Sequence, residues 1–162
     1  MARIKLDGGL QVRFLTKLAK EAEKQGVICG NVTTKNWISK SVGKLRNSPF
    51  KGRVNLTYWI HMEEARVEWW IWCGKEREDV DSAFAIFSEY LLANKSEIER
   101  AYGGSLNWDS PIRKTAFSIQ QDYPDFLLSD IPRWDYWIDK MLTDMKKLDD
   151  ATRRHYQSRG LA

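Results

Sequence analysis

Cysteine and histidine are scarce in this chain, two of each in 162 residues, and that scarcity excludes several kinds of chemistry. Cys29 and Cys73 are far apart and form no CxxC pair, which fits free thiols in a reducing compartment and a cytoplasmic protein. A zinc site would need both of them together with His61 and His155, a scattered set without ligand spacing. Ser-His or Cys-His catalysis has little to build on. No GxSxG elbow is present, and Gly8-Gly9 and Gly103-Gly104 lack the strand and helix that frame a phosphate loop. Long apolar runs are missing too. None approaches the roughly 20 residues of a membrane span, and the N-terminus has no apolar signal segment. The expectation is a protein without cofactor, metal or membrane partner.

Acidic residues are absent from residues 24–62, where Lys24, Lys35, Lys40, Lys44, Arg46, Lys51 and Arg53 stand unopposed, whereas residues 63–100 hold ten acids and five bases. The overall charge is only +4. Such asymmetry fits a positive surface for a polyanion, two mutually attracting surfaces, or charges that simply disperse on folding.

Tryptophan is abundant, with eight copies, and four of them fall in the most regular stretch of the chain, residues 53–73. Val54, Leu56, Tyr58 and Ile60 alternate with Arg53, Asn55, Thr57, Trp59 and His61. Ala65, Val67, Trp69, Ile71 and Cys73 alternate with Arg66, Glu68, Trp70 and Trp72. Period two predicts two strands. The acidic connection at Met62, Glu63 and Glu64 is too short for a crossover, so the strands pair as an antiparallel hairpin. Matching apolar to apolar requires a loop of even length, since a one-residue slip turns every side chain over. One face is then a core. The other mixes Trp59, Trp70 and Trp72 with Arg53, Arg66, His61 and Glu68.

Around this hairpin the pattern predicts a first helix capped by Asp7 and stopped by Gly26, with Leu10, Phe14, Leu15, Leu18 and Ala22 facing the hairpin's apolar side. An edge strand follows near residues 37–42, blunted by Lys40. A helix is expected from about Val80, followed either by another helical turn from Ser96, boxed by Glu99, or by its own continuation through a kink, with Gly103 and Gly104 as the stop. Residues 106–108 and 114–121 read as a strand pair turning through Pro111, with Phe117 and Ile119 apolar. A last helix capped by Ser129 or Asp130 carries Trp134, Trp137, Ile138, Met141, Leu142, Met145 and Leu148. The tail frays from about residue 150. The whole reads as one α+β domain over residues 1–162: an antiparallel sheet built on a central hairpin and packed with three to four helices.

At Glu97-Ile98-Glu99, Gly103, Leu106 and Trp108 the sequence resembles the family catalogued as domain of unknown function 4268. Trp37-Ile38-Ser39, the hairpin and the last helix follow in that family's order. The resemblance implies an association with nuclease-like domains of the PD-(D/E)XK type and with restriction or defence functions, without an established activity or catalytic residues. It also implies a basic residue before the isoleucine of the late strand, where this chain has Ser118.

A nuclease of that type needs an acid two positions before a lysine on a strand. Here that spacing occurs only at Asp144-Met145-Lys146, within the last helix, and Glu63-Glu64 beside His61 reads as a charged turn. No catalytic residue is assigned. The leading expectation is a non-catalytic binding module for nucleic acid in a restriction, defence or DNA-processing context. Lys40, Lys44, Arg46, Lys51, Arg53 and Arg66 would meet the backbone, and Trp59, Trp70 and Trp72 would offer stacking surfaces. The alternative is a homodimerisation or protein-interaction domain docking a nuclease partner, its tryptophan face buried in an interface or covered by the last helix. A metal-dependent hydrolase is the third reading.

Overall fold

The computed structural model describes residues 2–45, 53–72, 92–109 and 116–157. The elements in order are α1 (Ala2–Gln25), β1 (Trp37–Leu45), β2 (Arg53–Ile60), β3 (Ala65–Trp72), α2 (Lys95–Tyr102), β4 (Asn107–Asp109), β5 (Ala116–Tyr123), α3 (Trp134–Thr152) and β6 (Tyr156–Gln157). The strands form an antiparallel sheet in the order β4-β5-β3-β2-β1-β6. This is the α+β architecture the patterning predicts.

The central hairpin is closed by the His61 N–H donating to the Glu64 carbonyl at 2.8 Å, which leaves Met62 and Glu63 as a two-residue turn. The loop length is even, so apolar residues meet apolar residues. Val54, Leu56, Tyr58 and Ile60 of β2 and Ala65, Val67, Trp69 and Ile71 of β3 are all buried.

Residues gather into two compact units. The first comprises Met1–Lys40, Leu56–Glu68 and Gln121–Lys146. In it Phe14, Leu15, Leu18 and Ala22 of the α1 stripe are fully buried and Leu10 is half-buried, and Phe14 meets Phe126 and Trp134 edge-on, each at 5.3 Å. Trp137 packs against Tyr123 and Phe126. Edge-to-face pairs of this kind add about 0.5 to 1.5 kcal/mol beyond area burial. α1 stops where predicted: Gly26 adopts φ 68° while its N–H donates to Glu23 and that of Val27 to Ala22, the paired bonds of a Schellman cap. The chain then doubles back so that the Tyr58 hydroxyl donates to the Ile28 carbonyl at 2.7 Å. Gly30 lies so close to β1 that an added Cβ would stand 2.1 Å from the Ser39 carbonyl oxygen.

The second unit comprises Ser41–Asn55, Trp69–Gln120 and Lys147–Ala162. β4 and β5 pair as expected, with Trp108 opposite Ile119 and Asp109 opposite Ser118. α2 ends at Gly103, which takes φ 94° and donates its N–H to the Glu99 carbonyl.

Several expectations need correction. α1 begins at Ala2, so Asp7 is inside the helix and does not cap it. Ser96 is likewise inside α2, whose N-cap position is Asn94, without a side-chain capping bond. Asp130 occupies the N-cap position of a 3-10 turn (Ile131–Arg133) before α3, and its side chain makes no capping bond. β1 extends to Leu45 and is paired at its end by β6, Lys44 with Gln157 and Leu45 with Tyr156. The chain beyond residue 150 is therefore built into structure as far as Gln157, with His155 buried. The helix expected from Val80, the turn at Pro111, Cys73 and the Phe117 side chain are outside the described residues.

Candidate functional site

Parity places Trp59 on the face of β2 opposite the core, and the hairpin closure sets it across from Arg66 of β3. The contact is direct: the Arg66 guanidinium carbon is 4.3 Å from the centre of the Trp59 ring. His61, two residues further along the chain and just past the end of β2, lies nearly parallel to that ring at 5.8 Å and an interplanar angle of 11°. Arg66 also places its Nε 3.2 Å from a carboxylate oxygen of Glu68, its same-face neighbour on β3. Cation, indole, imidazole and carboxylate thus form one cluster near the tip of the hairpin.

Burial is graded across this face. Thr57 and Glu68, further from the tip, are buried at 3% and 8% exposure. Trp59, Arg66 and Trp70 are half-buried, and His61 and Arg53 are exposed. The Thr57 hydroxyl is satisfied by that of Ser39 on β1 at 2.8 Å. That bond also fixes which way β1 faces. Ser39 shares the face of Trp59, so Lys40 belongs with Ile38 and Val42 on the other one.

The residues expected to act together are therefore divided. Trp59 and Arg66 meet, whereas Lys40 is exposed on the opposite side of the sheet. Arg53 opens β2, and Trp70 sits on β3 in phase with Arg66. Lys44 and Trp72 belong to β1 and β3, but their side chains, like Arg46 and Lys51, are outside the described residues. Trp134 and Trp137 use their rings within the core, against Phe14, Phe126 and Tyr123.

Sequence reading also missed charge on α1. Arg13, Lys17, Lys20 and Lys24 recur at intervals of four, three and four residues, a signal visible in the spacing alone.

The acidic candidates have structural surroundings. His61, Glu63 and Glu64 are exposed around the turn. Asp144 is buried, accepts a hydrogen bond from Tyr123 at 2.7 Å and lies 3.7 Å from Lys140. Among the described residues no three His, Cys, Asp or Glu side chains gather as metal ligands, and no helix is long and apolar enough to cross a membrane.

The residues that carry the family resemblance form a clasp. The Glu99 carboxylate accepts the Leu106 N–H at 2.7 Å and the Trp108 indole N–H at 3.3 Å, Gly103 turns the chain between them, and Ile98 is buried beneath. Ser118, at the position where the resemblance implies a basic residue, is buried on β5 and accepts a hydrogen bond from Gln120. A protein-family model described as a domain of unknown function, DUF4268, matches residues 10–156. No curated protein and no solved structure matches the chain.

Proposed function

The chain belongs to the DUF4268 family, and from its own hairpin geometry we propose that it is a non-catalytic binding module for nucleic acid in a restriction, defence or DNA-processing setting. The observation that carries this reading is the stack of Arg66 on Trp59 with His61 alongside. Half-exposed aromatic rings on a sheet face give bases a stacking surface, and guanidinium and imidazole groups beside them meet phosphate or base edges. Exposed Arg53 and the sequence isoelectric point of about 9.0 favour a polyanion. Arg66 already has Glu68 as a partner, so an incoming phosphate has to compete with that carboxylate. This favours moderate affinity and a strong response to salt.

Binding of labelled single-stranded DNA and RNA across a salt series tests the reading. Arg53→Ala should lower the slope of log affinity against log salt by about one unit, because one phosphate contact releases about one counterion. Trp59→Ala should weaken binding by about 1 to 3 kcal/mol with the slope unchanged. Wild-type protein that binds neither polymer at low salt would overturn the proposal.

The aromatic surface that Trp59 and Trp70 leave half-exposed favours a second reading, a homodimer or partner interface on this face. In that case Trp59→Ala would change the sedimentation of the protein rather than its affinity for nucleic acid.

A further inference from the structure

α1 carries a second surface, separate from the hairpin. Arg13, Lys17, Lys20 and Lys24 form one stripe, turned away from the buried Phe14, Leu15, Leu18 and Ala22. Beside the first three runs a groove of about 410 Å³ between α1 and the 3-10 turn that precedes α3. Val12, Ile131 and Trp134 supply its apolar lining, Arg13, Lys17 and Lys20 its charge, and no carboxylate lines it. Asp135 holds Lys17 from outside at 2.7 Å, and Arg13 lies 5.7 Å from the Trp134 ring.

The apolar part distinguishes among anionic partners. Ile131 is 43% exposed, a large aliphatic side chain left open next to three cations. Trp134 is only 3% exposed, with its indole N–H given to the Leu128 carbonyl at 2.8 Å, so the groove presents no open ring on which a base could stack. A cavity of this size accommodates side chains, and its charge calls for carboxylates. We propose that this groove docks an acidic amphipathic peptide segment of a partner protein, with its carboxylates on Arg13, Lys17 and Lys20 and one apolar side chain against Ile131 and Val12. The interaction is the helix-in-groove type, in which apolar anchors give affinity and flanking charges give orientation and rate.

The test uses the full chain and fluorescein-labelled peptides followed by anisotropy. One peptide has Leu every three to four residues among Glu, a second replaces Glu with Gln, and a third replaces Leu with Ser. The Glu/Leu peptide should bind best. Arg13→Glu combined with Lys20→Glu should reduce its affinity at least about tenfold and shift preference to a Lys/Leu peptide. Ile131→Ser should weaken the Glu/Leu peptide while preserving its salt dependence. Both variants alter exposed side chains, and an unchanged melting curve would show that the fold persists. If the double variant unfolds, Ile131→Ser and Lys20→Ala alone carry the test. Equal binding of the Glu and Gln peptides, or variants that bind as wild type does, would overturn the proposal. So would single-stranded DNA or phosphatidylserine vesicles that bind in place of the Glu/Leu peptide and are lost in the double variant. Because the hairpin is untouched by these changes, failure here is distinguishable from failure of the nucleic-acid reading.

Discussion

Burial pushes the Cys29 thiol from 9.0 up to about 11, because its thiolate would lose hydration. Thiolate fraction changes about tenfold per pH unit, so near pH 8 this shift lowers it about a hundredfold. Iodoacetamide should accordingly alkylate Cys29 about a hundredfold more slowly than an unstructured cysteine peptide, with the rate climbing as pH approaches 11. Mass spectrometry of timed samples checks this. The stability consequence has a definite sign. The unfolded thiol ionises first, so stability is insensitive to this group below about pH 9 and declines as pH rises from there to 11. The sequence correctly indicated a free thiol at Cys29. Its environment was not legible, because it depends on a chain reversal after Gly26 that brings distant residues together. Arg66 is a similar case. Strand parity puts it on the face of Trp59 and Glu68, but the sharing of its charge between an indole and a carboxylate depends on the folded pairing of the strands.

Among the elements, those with a strong local period were the legible ones. The two strands of the hairpin and the apolar stripe of α3 follow from alternation and from helical spacing, because each pattern is complete within one element. Helix starts were read less well. Ser96 and Glu99 have the spacing of a capping box, yet the Glu99 side chain takes donors seven and nine residues ahead, at Leu106 and Trp108. A charged carboxylate serving two donors outcompetes a local cap. β6 was invisible for a related reason: two residues have no period, and their strand character comes from the edge of β1. The Glu99 clasp makes a prediction at this scale. Glu99→Ala should destabilise the protein by about 1 to 3 kcal/mol, because it leaves a backbone N–H and an indole N–H without their acceptor. Glu99→Gln, which keeps one acceptor oxygen, should lose less. Urea unfolding should show a lower midpoint with an unchanged slope for both variants.

At the scale of the molecule, the α+β class and its antiparallel sheet were readable, since segments of helical period and segments of alternating period follow one another along the chain. The division of the expected binding residues was not. Lys40 and Trp59 are close in sequence terms, but β1 and β2 present them on opposite sides, and facing is decided by the pairing between Ser39 and Thr57. Of the lysines and arginines expected beside the tryptophans, Lys40 is turned to the other side, and the side chains of Lys44, Arg46 and Lys51 are outside the described residues. Leu128 lies where several of these parts meet. Its N–H donates to the Met62 carbonyl at the hairpin tip at 2.9 Å, and its carbonyl accepts the Trp134 indole at the start of α3. Deuterium can reach that amide only when the tip releases it, so its exchange rate measures opening of the hairpin. Trp134→Phe, which removes the indole bond and keeps an aromatic ring, should accelerate exchange at Leu128 more than at the buried amides of β2 and β3. Fragment-resolved exchange would show whether the tip breathes as a local unit or only when the whole sheet unfolds.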